Sequence, residues 1–124
     1  MPMKTVLVVE DRDVSRELIR TLLEHSGYQV LEAATGAEGV SLALEKTPDL
    51  VLLDLQMPIK DGFQVLKELR SDQRCRMTPV VALTANAMQG DKERALSDGF
   101  TGYLTKPLSL ATIRQELARL LPEE

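Results

Sequence analysis

Three short runs along the chain, Val6-Leu7-Val8-Val9, Leu50-Val51-Leu52-Leu53 and Val80-Val81-Ala82-Leu83, contain no polar residue. A strand with one wet face alternates apolar and polar positions, so an unbroken run of this kind reads as a strand buried on both faces. Between the runs the apolar spacing changes to three and four. Val14, Leu18 and Leu22, with Ile19 and Leu23, form a helical stripe that Asp13 can cap and Gly27 can close. Val30–Ala33 is a short second strand, and Thr35-Gly36-Ala37-Glu38 has the form of a capping box opening a helix with Val40, Ala43 and Leu44 inward. Thr47-Pro48-Asp49 breaks that helix before the strand that ends at Asp54. Phe63, Leu66 and Leu69 mark a third helix after a turn at Asp61-Gly62. The fourth apolar strand ends at Thr84, and a helix through Asp91–Ser97 then stops at Gly99. Gly102–Thr105 makes a fifth strand, and Ser109 caps a last helix with Leu110, Ile113, Leu117, Leu120 and Leu121 inward. Strand and helix alternate throughout, which predicts an α/β fold: a doubly wound parallel sheet with helices on both faces.

In open sheets of this kind, sites form beyond the carboxyl ends of the strands. Glu10 and Asp11 follow the first strand, Asp54 ends the third, Thr84 ends the fourth and Lys106 follows the fifth. Carboxylates gathered at one edge repel, each pair by on the order of 4 kcal/mol at about 4 Å and an effective dielectric near 20. A hard divalent cation with oxygen ligands offsets this naturally, and Mg²⁺ or Mn²⁺ is the expected metal. Softer ligand sets are missing from the sequence pattern, since His25 lies in the first helix and Cys75 in a loop. Lys106 supplies a point positive charge for an anion and Thr84 a hydroxyl donor. A carboxylate beside a divalent metal, a lysine and a hydroxyl makes a site for phosphoryl transfer to the carboxylate. Asp54 is the expected nucleophile because the buried central strand stands behind it.

The bulk properties narrow the function classes. A chain of 124 residues is the size of one domain, expected to span 1–124. A net charge of −4 argues against a general nucleic-acid binder, and Lys67, Arg70, Arg74 and Arg76 read as a solvated rim. The single Cys75 excludes an internal disulfide and suits a reducing compartment. Met1-Pro2-Met3-Lys4 leads straight into a strand, without the pattern of a signal peptide. The longest apolar runs, four residues, are far short of the roughly 20 that span a bilayer. A soluble, cytoplasmic protein that contacts no membrane is expected.

The pair Glu10-Asp11, the segment Asp54-Leu55-Gln56-Met57-Pro58-Ile59-Lys60-Asp61-Gly62, Thr84-Ala85 and Lys106-Pro107 follow one another at telling spacings. Together they resemble the receiver domains of two-component response regulators, over residues 4 to 121. The likeness is greatest to chemotaxis-type single-domain regulators and hybrid-kinase receivers. It implies a flavodoxin-like sheet of order 2-1-3-4-5. It further implies that Asp54 accepts a phosphoryl group from a histidine kinase or histidine phosphotransfer protein. Asp11, Asp54 and the backbone carbonyl of Gln56 would ligate Mg²⁺ (Mn²⁺ can substitute), with Glu10 acting through a metal-bound water. Lys106 would pair with a phosphoryl oxygen, and its bond to Pro107 would be cis. Thr84 resembles the switch hydroxyl and Tyr103 the aromatic switch, while the side chains of Gln56 and Asn86 would flank the path of the hydrolytic water. Glu10 departs from an Asp-Asp pair by one methylene, which affects only fine geometry.

The function so implied is a phosphorylation-controlled switch. Its output face would be the fourth helix, fifth strand and fifth helix, which bind a downstream protein, on a monomer that phosphorylation could dimerise. The chain runs out at Pro122-Glu123-Glu124, which favours a stand-alone regulator over a receiver excised from a hybrid kinase or larger regulator. It is not expected to be a multiple-turnover enzyme. Rival classes are an aspartyl-phosphate phosphatase, which would place a second acid at the position of Gln56, a flavodoxin-like cofactor binder, and a pseudo-receiver that only binds partners. Blander roles stand beside the sharp ones: Glu10 and Asp11 as helix caps, Thr84 as a strand-end residue, Tyr103 as a half-buried strand aromatic, Met57 and Met88 as packing residues.

Overall fold

Leu50–Asp54 (β3) lies at the centre of a five-stranded sheet and is buried at every residue. β1 (Thr5–Val9) and β4 (Val80–Thr84) flank it, with β2 (Gln29–Ala33) outside β1 and β5 (Gly102–Thr105) outside β4. Every pairing is parallel and the order is 2-1-3-4-5, as the resemblance implies. The connections are α1 (Asp13–His25), α2 (Gly36–Lys46), α3 (Gly62–Ser71), α4 (Asp91–Asp98) and, after β5, α5 (Leu110–Leu120). The computed structural model of the chain describes residues 3–85 and 91–121; Asn86 and Met88 lie outside them.

The unbroken apolar runs feed two cores at once, because successive side chains leave a strand on opposite faces. Leu7, Val9, Val51 and Leu53 join Val65, Leu66 and Leu69 of α3 and Ala43 of α2 on one face. Val6, Val8, Leu50 and Leu52 meet Ile19 and Leu23 of α1 and Ile113 and Leu117 of α5 on the other. Only the edge strand β2 is mostly half-exposed, with Ala33 its one fully buried residue. No helix among the described residues is long and apolar enough to cross a membrane.

Several local expectations need correction. Arg12, not Asp13, is the N-cap of α1, and it makes no side-chain cap bond; Asp13 is the first helical residue and accepts from Arg16 at 2.7 Å. The inward stripe of α1 is Ile19 and Leu23, whereas Val14 is 83% and Leu18 48% exposed. Thr35 Oγ1 accepts from the backbone of Glu38 at 3.1 Å as a cap should. Glu38, however, reaches back to the N–H of Ala34 at 2.7 Å rather than to that of Thr35. The reciprocal capping box is at α3 instead, where Asp61 and Gln64 each accept from the other's backbone. Arg70 does not belong to a solvated rim. Its half-buried guanidinium donates to the carbonyls of Cys75 at 3.0 Å, Thr78 at 2.7 Å and Gly99 at 3.1 Å, tying α3 to the loops that lead into β4 and β5. Cys75 is wholly buried, its thiol donates to the carbonyl of Ala43 at 3.3 Å, and burial raises its pKa, so it is an inert core residue.

Candidate functional site: an acidic cluster at the carboxyl edge

The sheet register assembles the site. Val9 pairs with Leu53, Asp54 with Leu83 and Thr84 with Thr105, so the strands end nearly level. The ladder continues one residue further, from Glu10 N to Ala33 O at 3.0 Å, Leu55 N to Leu83 O at 3.0 Å and Lys106 N to Thr84 O at 2.7 Å. Those bonds fix the backbone at the points where the functional side chains leave it. One carboxylate oxygen from each of Glu10, Asp11 and Asp54 lies within 4.8 Å of the others. Glu10 and Thr84 are 0% and Asp54 4% exposed.

The cluster's charge is shared unequally. Lys106 Nζ bonds Glu10 Oε1 and lies 3.2 Å from Asp54 Oδ2. Glu10 also accepts from Ser15 Oγ at 2.9 Å and from the N–H of Arg12 at 3.3 Å. The guanidinium of Arg16 holds the Glu10 carbonyl at 2.8 Å. Burial alone would raise the Glu10 pKa, but the bonds from Asp54, Lys106 and Ser15 outweigh it and bring the value down to about 2. Asp54 moves the other way, pushed up to about 6 by burial and by the closely placed carboxyl group of Glu10. The N–H of Gln56, donating to Asp54 Oδ1 at 2.9 Å, opposes that shift. Three carboxyl groups thus face a single lysine.

Asp11 differs from its neighbour. Its Oδ1 is buried without any hydrogen-bond partner among the described residues. A buried acceptor left unsatisfied costs roughly 1–3 kcal/mol, more when charged. A surplus of negative charge, oxygen-only donors and one orphaned buried oxygen fit a hard divalent cation, and they offer nothing to a softer one. Glu10, Asp11 and Asp54 could hold it.

Of the remaining predicted residues, Thr84 reaches the edge as a fully buried hydroxyl, and Lys106-Pro107 is cis. The side chain of Gln56 is exposed, and Tyr103 is half-buried, its ring against the core that also holds α3. The sequence reading missed Ser15 and Arg16. Ser15 precedes buried Ile19 and Leu23 by four and eight residues, so a polar residue heading a buried stripe was the signal. Gly62 is also part of the site's construction. A Cβ there would meet the Asp54 carbonyl oxygen at 2.5 Å and Leu55 Cα at 2.8 Å, so only glycine lets α3 start directly against the end of β3.

A doubly wound parallel sheet presenting clustered acids, a lysine and a hydroxyl at its carboxyl edge defines a class of aspartate-centred phosphoryl-transfer proteins. The sequence pattern of the response regulator receiver domain family matches residues 6–118, and the chain belongs to this family. It is 43% identical over 107 residues to the polar-differentiation response regulator DivK of Brucella ovis, covering 86% of this chain and 87% of that one. The structure superposes on the Vibrio cholerae chemotaxis protein CheY4 with a TM-score of 0.91 at 32% identity, covering 97% of this chain and all of that one. The receiver domain of a Pseudomonas aeruginosa sensor histidine kinase, solved with a magnesium ion coordinated in its active-site cleft, gives 0.90 at 35% identity, covering 98% and 100%. The chain is therefore a receiver domain of two-component signalling, a phosphoacceptor switch acting between histidine kinases or phosphotransfer proteins and downstream targets.

Proposed function

We propose that Asp54 is the phosphoacceptor, that Asp11, Asp54 and the carbonyl of Gln56 hold Mg²⁺ with Glu10 behind a bridging water, and that Lys106 and Thr84 bind the transferred group. The observation that carries this is the unequal sharing of Lys106. It neutralises Glu10 and touches Asp54, yet leaves Asp11 with an orphaned buried oxygen. Bound there, a divalent cation would supply the charge neutralisation that an incoming phosphoryl group needs. In the transfer, an Asp54 carboxylate oxygen forms the new bond to phosphorus while the bond from phosphorus to the donor imidazole nitrogen breaks. Because the low value of Glu10 keeps it ionised, the ammonium of Lys106 stays at the edge, ready to turn from carboxylate to phosphoryl oxygen. The Thr84 hydroxyl can donate to a second phosphoryl oxygen, and a charge-assisted bond of that kind is among the stronger hydrogen bonds available to a protein.

Phosphorylation then acts as a switch rather than as turnover on an external substrate. A shift from 1:99 to 99:1 between two states requires about 5.5 kcal/mol of differential stabilisation. Thr84 and Tyr103 lie on β4 and β5, so their rearrangement would be felt on the face of α4, β5 and α5, where a downstream protein is proposed to bind. Function in the cytoplasm, beside a kinase's catalytic domain, follows from the same reading. The test is Mg²⁺-dependent labelling from acetyl phosphate. Base-labile label is expected in the parent and absent in Asp54→Asn and after chelation; equal labelling of Asp54→Asn would overturn the assignment.

A further inference from the structure

Ile59 is disfavoured twice over. Its side chain is 103% exposed, and its φ of +69° lies in the left-handed region that β-branched residues avoid. The N–H of Lys60 donates to the carbonyl of Pro58 at 2.8 Å, so Ile59 is the apex of a three-residue turn with positive φ, the rarer and more strained of the two γ-turn forms. Asparagine or glycine would relieve both faults at once. The surroundings show that the loop does not merely wander into this shape. A Cβ on Gly36 would meet the Lys60 carbonyl oxygen at 2.6 Å, so the start of α2 and this loop are in direct contact. Lys60 is ion-paired to Glu68 of α3, and Met57 is buried in the core. Strain held by a fixed frame on an exposed apolar side chain points to a use for that side chain.

Its position says what the use is. Ile59 lines a cavity of about 270 Å³ with Ala34, Ala37, Met57 and Pro58, and Asp11 forms part of the wall. Whatever covers Ile59 therefore also covers the approach to the acidic cluster. A partner that stayed there would block phosphoryl transfer, whereas a phosphoryl donor has to be there for the time of transfer, its histidine brought to near-contact with Asp54. Apolar surface on the opposite side agrees: exposed Val14 and Leu18 of α1 line a second cavity whose wall includes Lys106. The cluster is thus rimmed by apolar residues around a charged centre, the arrangement that suits a short-lived protein interface.

We infer that Ile59 is an anchoring residue for the phosphodonor protein: its rigid, exposed side chain packs against the donor surface beside the phosphorylated histidine and helps select the donor. The inference rests on Asp54 as phosphoacceptor, and the two fail differently, since loss of Asp54-dependent labelling from acetyl phosphate removes both while the comparison below addresses Ile59 alone.

The probe is a set of ³²P-loaded histidine kinase fragments from the same genome, of which the fastest donor to the unmodified full chain is used. Ile59→Asn is expected to slow transfer from that donor at least fivefold, to leave acetyl phosphate labelling unchanged, and to raise Tm by about 3 °C as the strain is relieved. Ile59→Leu, apolar but not β-branched, is expected to keep most of the donor rate. Unchanged donor transfer in Ile59→Asn overturns the inference, as does a parallel fall in acetyl phosphate labelling, which would mean a distorted site. An equal loss in Ile59→Leu also overturns it, because the effect would then lie in backbone strain. Untouched transfer with a changed mass in sedimentation would assign the surface to a second copy instead.

Discussion

The turn after β1 and the loop after β3 deliver carboxylates to the same edge, but the first is held by side chains and the second by backbone contact. Glu10 has its carbonyl on Arg16 and its carboxylate on Ser15, Arg12 and Lys106, so three residues of the first turn of α1 and its approach pin one acid. Asp54 receives only the Gln56 N–H from its own loop, and its position is set by the close seat of Gly62 against its carbonyl. The pinned acid is the one held ionised, and the one with fewer bonds has the raised pKa. Side-chain bonding here fixes a charge, whereas backbone packing fixes a location and leaves the carboxylate free for chemistry. The same loop holds its surplus strain at exposed Ile59, where the α1 turn has none.

The largest expected effect breaks the backbone side of this contrast. In Gly62→Ala the new methyl would meet backbone atoms that cannot rotate away, so α3 must shift or β3 must bend. A loss of about 3 kcal/mol in urea unfolding is expected, the upper range for overpacking a well-packed site. Labelling from acetyl phosphate should fall at least tenfold in the fraction that remains folded. A full-length, stable variant with parent-like labelling would show that the loop, and not this contact, positions Asp54.

Most of the architecture was legible in the pattern, and the reasons are local. Runs such as Val6–Val9 fill two cores at once, so their lack of alternation carried real information, and Asp54, Thr84 and Lys106 stood at strand ends that any parallel sheet would align. Misreadings fell where one rotation or one partner decides. Val14 and Leu18 fit a helical stripe as well as Ile19 and Leu23 do, and only packing against β1 and α5 selects which edge of α1 faces inward. Arg70 looked like one of several surface cations, because backbone carbonyls presented by loops, one of them 29 residues away, leave no signature in residue type. The strain at Ile59 was likewise invisible, since a γ-turn is a property of φ and ψ rather than of residue type. Asn86, read as a flank of the water path, lies outside the described residues.

A second, smaller effect sharpens the contrast through pH. Free in the unfolded chain, Asp54 titrates near 3.8, and folded it titrates at about 6. Between those values the folded protein binds the extra proton, so this group's contribution to stability declines as pH rises through the window, and at pH 7 the whole penalty is present. In chelator at pH 7, Asp54→Asn should therefore be more stable than the parent by about 2 kcal/mol, at roughly 1.4 kcal/mol per pKa unit less some relaxation. Near pH 4 the gain should vanish. Urea titrations of both proteins across that range check it, and a difference independent of pH would mean that the amide acts by packing. Glu10 gives the mirror image. Its value lies near 2 against an ordinary 4.5, so its contribution is complete above 4.5 and is lost as pH falls through 2.

The smallest expected effect tests whether side-chain pinning is what holds Glu10 apart from its neighbours. Among the described residues Ser15 is the neutral hydroxyl on that carboxylate, and removing it leaves Lys106 and the Arg12 N–H in place. Ser15→Ala should cost about 1 kcal/mol at pH 7, the lower end for a lost bond to a buried carboxylate that keeps other donors. Because Ser15 lowers the Glu10 value, its loss moves that value back toward 4.5, and the acid limb of the stability curve should begin at a higher pH than in the parent. Mg²⁺ affinity, read by isothermal titration calorimetry without any phosphodonor, should fall a few-fold as Glu10 gains freedom to turn toward Lys106 alone. Ser15→Thr, which keeps the hydroxyl, should restore both. If the acid limb stays where it is while stability drops, Ser15 serves only the start of α1, and the pinning of Glu10 belongs to Lys106 and the backbone.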